Sequence, residues 1–114
     1  ITADAITWAT TDGVGNQVWF SPKMDVTKYI AMHIELQCGT RNGNSANYSV
    51  GIGVGNYEPT GAAQPNDWVS STTGIWDTSR KTHTVNLESV TGAYFIKLAA
   101  YATTGQIFNI WFEE

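Results

Sequence analysis

A chain of 114 residues supports one hydrophobic core that buries roughly two-thirds of its unfolded surface, so a second domain is excluded and residues 1–114 are expected to form one unit. Charged residues make up only 14% of it, 10 acidic against 6 basic for a net charge of −4. The few scattered cations give no electrostatic footprint for nucleic acid. No apolar run approaches the roughly 18 residues of a spanning helix, so no membrane insertion is expected. The start at Ile1 without an initiator Met and without a secretory leader reads as a module excised from a larger protein.

Periodicity of two recurs along the chain and no stretch repeats at i, i+3, i+4, i+7, which predicts an all-β protein. The first two strands are expected at residues 4–10 and 16–21. A third, at 29–38, is the clearest: Ile30, Met32, Ile34, Leu36 and Cys38 share one face, and Ala31, His33, Glu35 and Gln37 the other. The fourth, at 47–54, turns Tyr48, Val50, Ile52 and Val54 inward and leaves Asn47, Ser49, Gly51 and Gly53 outside. Strands at 67–72 and 82–87 follow. In the seventh, at 93–101, Tyr94, Ile96, Leu98 and Ala100 face in, with Phe95, Lys97, Ala99 and Tyr101 out. The last, at 107–113, points Phe108, Ile110 and Phe112 inward and Ile107, Asn109 and Trp111 outward.

Turn chemistry separates these runs at Thr11-Asp-Gly-Val-Gly, Asn42-Gly, residues 55–66, Thr73-Gly, Asp77-Thr-Ser, Thr91-Gly and Thr104-Gly. Eight short strands with no crossover helix predict a two-sheet antiparallel β-sandwich. Jelly-roll topology fits the strand number best, and an immunoglobulin-like sandwich is the alternative. The single cysteine, Cys38, has no partner for an internal disulfide and closes an apolar alternation, so it reads as a small buried hydrophobe.

Catalytic chemistry has little to work with. The only histidines, His33 and His83, sit on strands, and no nucleophile elbow or metal-binding spacing such as His-Glu-x-x-His occurs, so an enzyme is not expected. Glu35, beside His33 on a face away from the core, is the carboxylate best placed for a small glycoside hydrolase, the weakest of the functions considered. Asp12, Asp25, Asp67 and Asp77 fall in turns, where capping backbone N–H groups is the common role. Loop carboxylates leave room for a structural calcium, with no spacing that names its ligands, and no other cofactor is expected.

The five Trp, five Tyr and four Phe are more informative, because the strand phases leave several rings without a core position. An indole or phenol stacks on the axial C–H groups of a pyranose, and its hydroxyls pair with amides and hydroxyls, so a Trp-rich, charge-poor surface suits a neutral glycan. In jelly-roll order the second, seventh, fourth and fifth strands share a sheet. Trp19, Trp68 and Tyr101 would then flank a shallow floor of Ser49, Gly51 and Gly53, with Lys97 and Asn47 as hydrogen-bond donors. Tyr57 and Trp76, near turns, are candidate loop contacts. The opposite sheet would expose Trp111, Asn109, Ile107, His33, Glu35 and His83, a patch suited to an oligomer or domain interface.

Three segments, Asp25-Val-Thr-Lys-Tyr-Ile-Ala-Met-His-Ile, Val85-Asn-Leu-Glu-Ser-Val-Thr-Gly-Ala-Tyr-Phe-Ile-Lys-Leu and Ile110-Trp-Phe-Glu-Glu, resemble jelly-roll domains of phage and prophage tail-fibre and baseplate proteins from Gram-positive hosts. That resemblance implies a module like the carbohydrate-binding ones, which adheres to cell-surface polysaccharide at the virion surface or outside the cell. It transfers no ligand residues. The expected function is therefore non-catalytic binding of cell-surface or cell-wall polysaccharide. The alternative is a structural virion domain, a fibre head or capsid decoration, acting through contacts between copies or with neighbouring domains.

Overall fold

Alternating β-branched and small polar residues favour pleated strands with one face buried. The computed structural model describes residues 2–9, 15–20, 22–41, 49–56, 68–101 and 103–114, and every regular element among them is a strand. These are β1 (Thr2–Ala9), β2 (Gly15–Phe20), the two-residue β3 (Met24–Asp25), β4 (Ala31–Arg41), β5 (Val50–Gly55), β6 (Trp68–Ile75), β7 (Lys81–Asn86), β8 (Ala93–Tyr101) and β9 (Thr103–Glu113).

Two antiparallel sheets form a β-sandwich. The front sheet has the order β1-β9-β4-β7 and the back sheet β2-β8-β5-β6, with β3 paired to the start of β8. Leaving β3 aside, the second, seventh, fourth and fifth strands do share one sheet. Met32, Ile34, Leu36 and Cys38 of β4 face Val50, Ile52 and Val54 of β5 and Ile96 and Leu98 of β8 across the core, all at 0–1% exposure. Each such aliphatic side chain contributes about 2 kcal/mol by leaving water.

Hydroxyls tie the two sheets along one edge. Ser70 and Thr72 of β6 donate from Oγ to the carbonyls of Asn86 (2.5 Å) and Thr84 (2.6 Å) on β7. This occupies acceptors that edge strands otherwise leave open to pairing with another chain.

Four departures from strict alternation move residues from their expected places. Ile30 is 42% exposed rather than buried, because it precedes β4: its N–H donates to Glu113 O and its carbonyl accepts from Leu87 N–H. In β9, the pairs Glu35↔Asn109 and Leu36↔Ile107 leave Phe108 as an extra residue, a bulge that reverses the phase. Ile107 therefore lies in the core at 0% exposure, and Phe108 packs under the Arg80 guanidinium 4.0 Å from its ring centre. His83 pairs with core-facing Ile34 and shares the phase of Val85, so it sits at the rim of the core side and not beside His33 and Glu35. The dipeptides Thr73-Gly and Thr104-Gly do not end strands: Gly74, at φ 73, sits in a bulge within β6, and Gly105 lies inside β9.

Candidate functional site

The outer face of the back sheet carries the expected glycine floor, but the floor is covered. Gly51, Gly53 and Gly55 are all buried. Trp68 pairs with Gly55, and its Cζ2 lies 3.7 Å from where a Cβ on Gly51 would stand, so the indole runs lengthwise over the β5 glycines. A Cβ on Gly53 would run into Ser70 O and Ser71 Cα. Lys97, opposite Gly53, points away from the core as expected but has no exposed surface, and its Nζ lies 4.8 Å from the Trp68 ring centre. Burial holds the Lys97 ammonium down at a pKa of about 8. As a solvent-facing donor Lys97 is thus corrected to a buried one.

The other rings and polar groups expected there divide. Ser49 is half-buried just before β5. Trp19 and Tyr101 lie on β2 and β8 in the expected sheet, with side chains outside the described residues; Asn47 and Tyr57 also lie outside them. Trp76 packs against the core, and the Arg41 guanidinium sits 4.2 Å from its ring centre.

The outer face of the front sheet is the more open one. Across β4 and its neighbours the register sets successive rows: Thr84, His33 and Trp111; then Thr82, Glu35 and Asn109. Trp111 is 38% exposed and stacks on the His33 ring at 5.3 Å and 28°. That ring is itself fixed at both nitrogens, by Thr84 Oγ1 at 2.9 Å and by Glu113 Oε1 at 2.8 Å. Glu35 is held by both oxygens to Arg80, at 3.1 and 3.2 Å, and half-buried Asn109 lies beside it on β9. His83 belongs elsewhere, 2.7 Å from Asp77 Oδ2. Asp25 does cap a turn: it accepts from Thr27 N–H at 2.9 Å, and hydrogen bonding from the Thr27 hydroxyl first and from this N–H second lowers its pKa.

Further along the same face lies a cleft of about 390 Å³ bounded by Thr7, Ala9, Gln37, Gly39, Thr104 and Gln106, with the backbone of the Trp8, Cys38 and Gly105 row at its base. Thr7, Gln106 and Gln37 form one row across β1, β9 and β4. Ala9 and Thr104 form the next, beside a bulge in β4 between Cys38 and Arg41. Beneath it Trp8 is buried, its Nε1 donating to Thr103 Oγ1 at 3.1 Å.

Sequence reasoning did not single out Arg80, Thr84, Glu113, Thr7 or Gln106. Glu113 carried a signal, since it lies two residues beyond Trp111 and shares its face. The others depend on strand register. Comparison with protein-family models, curated proteins and solved structures finds no match for this chain.

Proposed function

We propose that this chain is a non-catalytic carbohydrate-binding module, with its strand order read as a jelly roll, and that it holds cell-surface or cell-wall polysaccharide on the outer face of the front sheet. The setting is the one implied by its resemblance to phage and prophage adhesion domains, at the virion surface. The observation that carries the proposal is the Trp111 ring, exposed to solvent yet immobilised on a histidine with hydrogen-bond partners at both nitrogens. A ring already fixed in place loses little entropy when a pyranose stacks on it. Glu113, Asn109, Glu35 and Arg80 surround it with donors and acceptors for hydroxyls. Glu35 acts here as a positioned acceptor, because Arg80 engages both of its oxygens.

A glycan array followed by calorimetric titration tests this. The chain is expected to bind at least one cell-wall polysaccharide, and Trp111→Ala to weaken that binding at least tenfold, about 1.4 kcal/mol. Light scattering over the same concentrations separates the alternative. Association into dimers or trimers that Trp111→Ala abolishes, with no glycan bound, would assign the face to contacts between copies.

A further inference from the structure

Three features stand outside what the Trp111 platform uses: the buried Lys97 under Trp68, the His83–Asp77 pair at the core rim, and the cleft at the far end of the front face. Lys97 and His83 are enclosed by the fold's own groups, whereas the cleft opens to solvent. We propose that the cleft is a second, separate subsite that takes one uncharged saccharide ring. The proposal rests on the glycan-binding role of this face and adds the chemical class of ligand held at its far end.

The first argument is the lining. Among the described residues the cleft presents two amides, Gln37 and Gln106, two hydroxyls, Thr7 and Thr104, and the small surfaces of Ala9 and Gly39, with no charged side chain. Amides and hydroxyls each offer both donors and acceptors, which is what a ring of alternating hydroxyls requires. A carboxylated or aminated sugar would give up hydration and find no counter-charge there.

The second argument is that the lining is held in place. Gln37 Nε2 donates to Thr78 O at 2.9 Å. Thr104 Oγ1 accepts from Thr40 N–H at 2.9 Å and shares a further hydrogen bond with Thr40 Oγ1 at 3.1 Å. The bulge in β4 creates this arrangement and brings Gly39 so near Thr104 that a Cβ would stand 2.5 Å from its Oγ1. At Gly105, in the core-facing row with Trp8, a Cβ would run into the Trp8 ring, so the bare backbone there lets the indole pack beneath the cleft. Ala9 and Gly39 put little side chain on the cleft side, and the fixed amide and hydroxyl stand beside them. The cleft volume of about 390 Å³ falls at the lower end of the range for small-molecule sites.

Position is the third argument. Gln37 follows His33 by four residues on β4, about 13 Å along the strand on the same face. One polysaccharide chain lying along β4 would reach both the Trp111 platform and the cleft, which raises the effective concentration at the second contact.

The test is a ¹H–¹⁵N NMR titration of the whole chain with glucose, galactose and N-acetylglucosamine, and with glucuronate and glucosamine as charged counterparts. At least one neutral sugar is expected to shift the backbone amides of Gly39 and Gly105 and the side-chain amides of Gln37 and Gln106 in a saturable way. Gln106→Ala should weaken that site at least fivefold, and Ala9→Arg, which fills the depression, should remove it; the spectra themselves report that each variant is folded. Glucuronate or glucosamine binding there as tightly as the neutral sugars overturns the assignment. Shifts confined to the Trp111 and His33 rows overturn the cleft and leave the glycan-binding role standing. If none of the sugars moves any resonance and the polysaccharide array is blank, both fall together.

Discussion

The two outer faces of the sandwich use tryptophan in opposite ways. On the back sheet, Trp68 lies down over a line of glycines and covers a lysine, so its ring fills space that the absent side chains of β5 leave. On the front sheet, Trp111 sits in a row with His33 and Thr84, stacks on the His33 ring and keeps 38% of its surface exposed. Glycines beside an aromatic mark a place where the ring is packing material; a polar row beside it marks a place where the ring remains available. Glycine-rich strand faces in a Trp-rich chain are therefore poor indicators of an open ligand floor.

The contrast can be broken at its tightest point first. Gly53→Ala should destabilise the chain by about 3 kcal/mol, seen as a lower urea midpoint, because the methyl meets neighbouring backbone that has no room to yield. An unchanged midpoint would mean that the β5–β6 approach is looser than described. Trp68→Ala comes next, at about 2 kcal/mol by the same measurement, since the half-buried ring gives up contacts with the glycine strand and with Lys97.

Lys97 supplies a pH dependence whose sign can be worked out. It loses its proton near pH 8 in the folded chain and near 10.5 when unfolded. Below pH 8 both states are protonated and the full cost of the buried charge is present. Between the two values the unfolded state holds more protons, so stability rises with pH, by up to about 1.4 kcal/mol per unit. The Cys38 thiol, pushed above its usual 9.0 by burial, works in the other direction at high pH, because the folded state then keeps a proton that the unfolded state releases. The quantity to measure is therefore the difference in urea stability between the wild type and Lys97→Met. That difference should change across the window from about 8 to 10.5 and be flat below it; a flat difference throughout would place the ammonium in contact with water.

The smallest effect on stability belongs to the front face. His33→Ala should change stability by less than about 1 kcal/mol, since its partners are at the surface. The same substitution should weaken polysaccharide binding several-fold by freeing the Trp111 ring. Equal loss of both properties would make His33 a structural residue instead.

Much of the fold was legible because β4 and β8 alternate cleanly: Met32, Ile34, Leu36 and Cys38, and Ile96, Leu98 and Ala100, fall where their spacing puts them. Ile107 and Phe108 were not legible, because both are apolar and either could face inward. The bulge that decides between them exists only once β9 pairs with β4. Lys97 misled for the reverse reason. Alternation gave its direction correctly, while its burial depends on a ring from β6 that lies near it only in the folded sheet. The cleft is less legible still, since Thr7, Gln37 and Gln106 are ordinary polar strand residues until the register of β1, β9 and β4 sets them in one row.

The most direct measurement is a paired calorimetric titration of Trp111→Ala and Trp68→Ala against whichever polysaccharide binds the wild type best. The open front face predicts that Trp111→Ala loses at least tenfold in affinity at near-native stability, while Trp68→Ala is destabilised and, where folded, binds within about twofold of the wild type. The reverse pattern, with affinity lost on removing Trp68 and kept on removing Trp111, would contradict it and return the binding site to the glycine face.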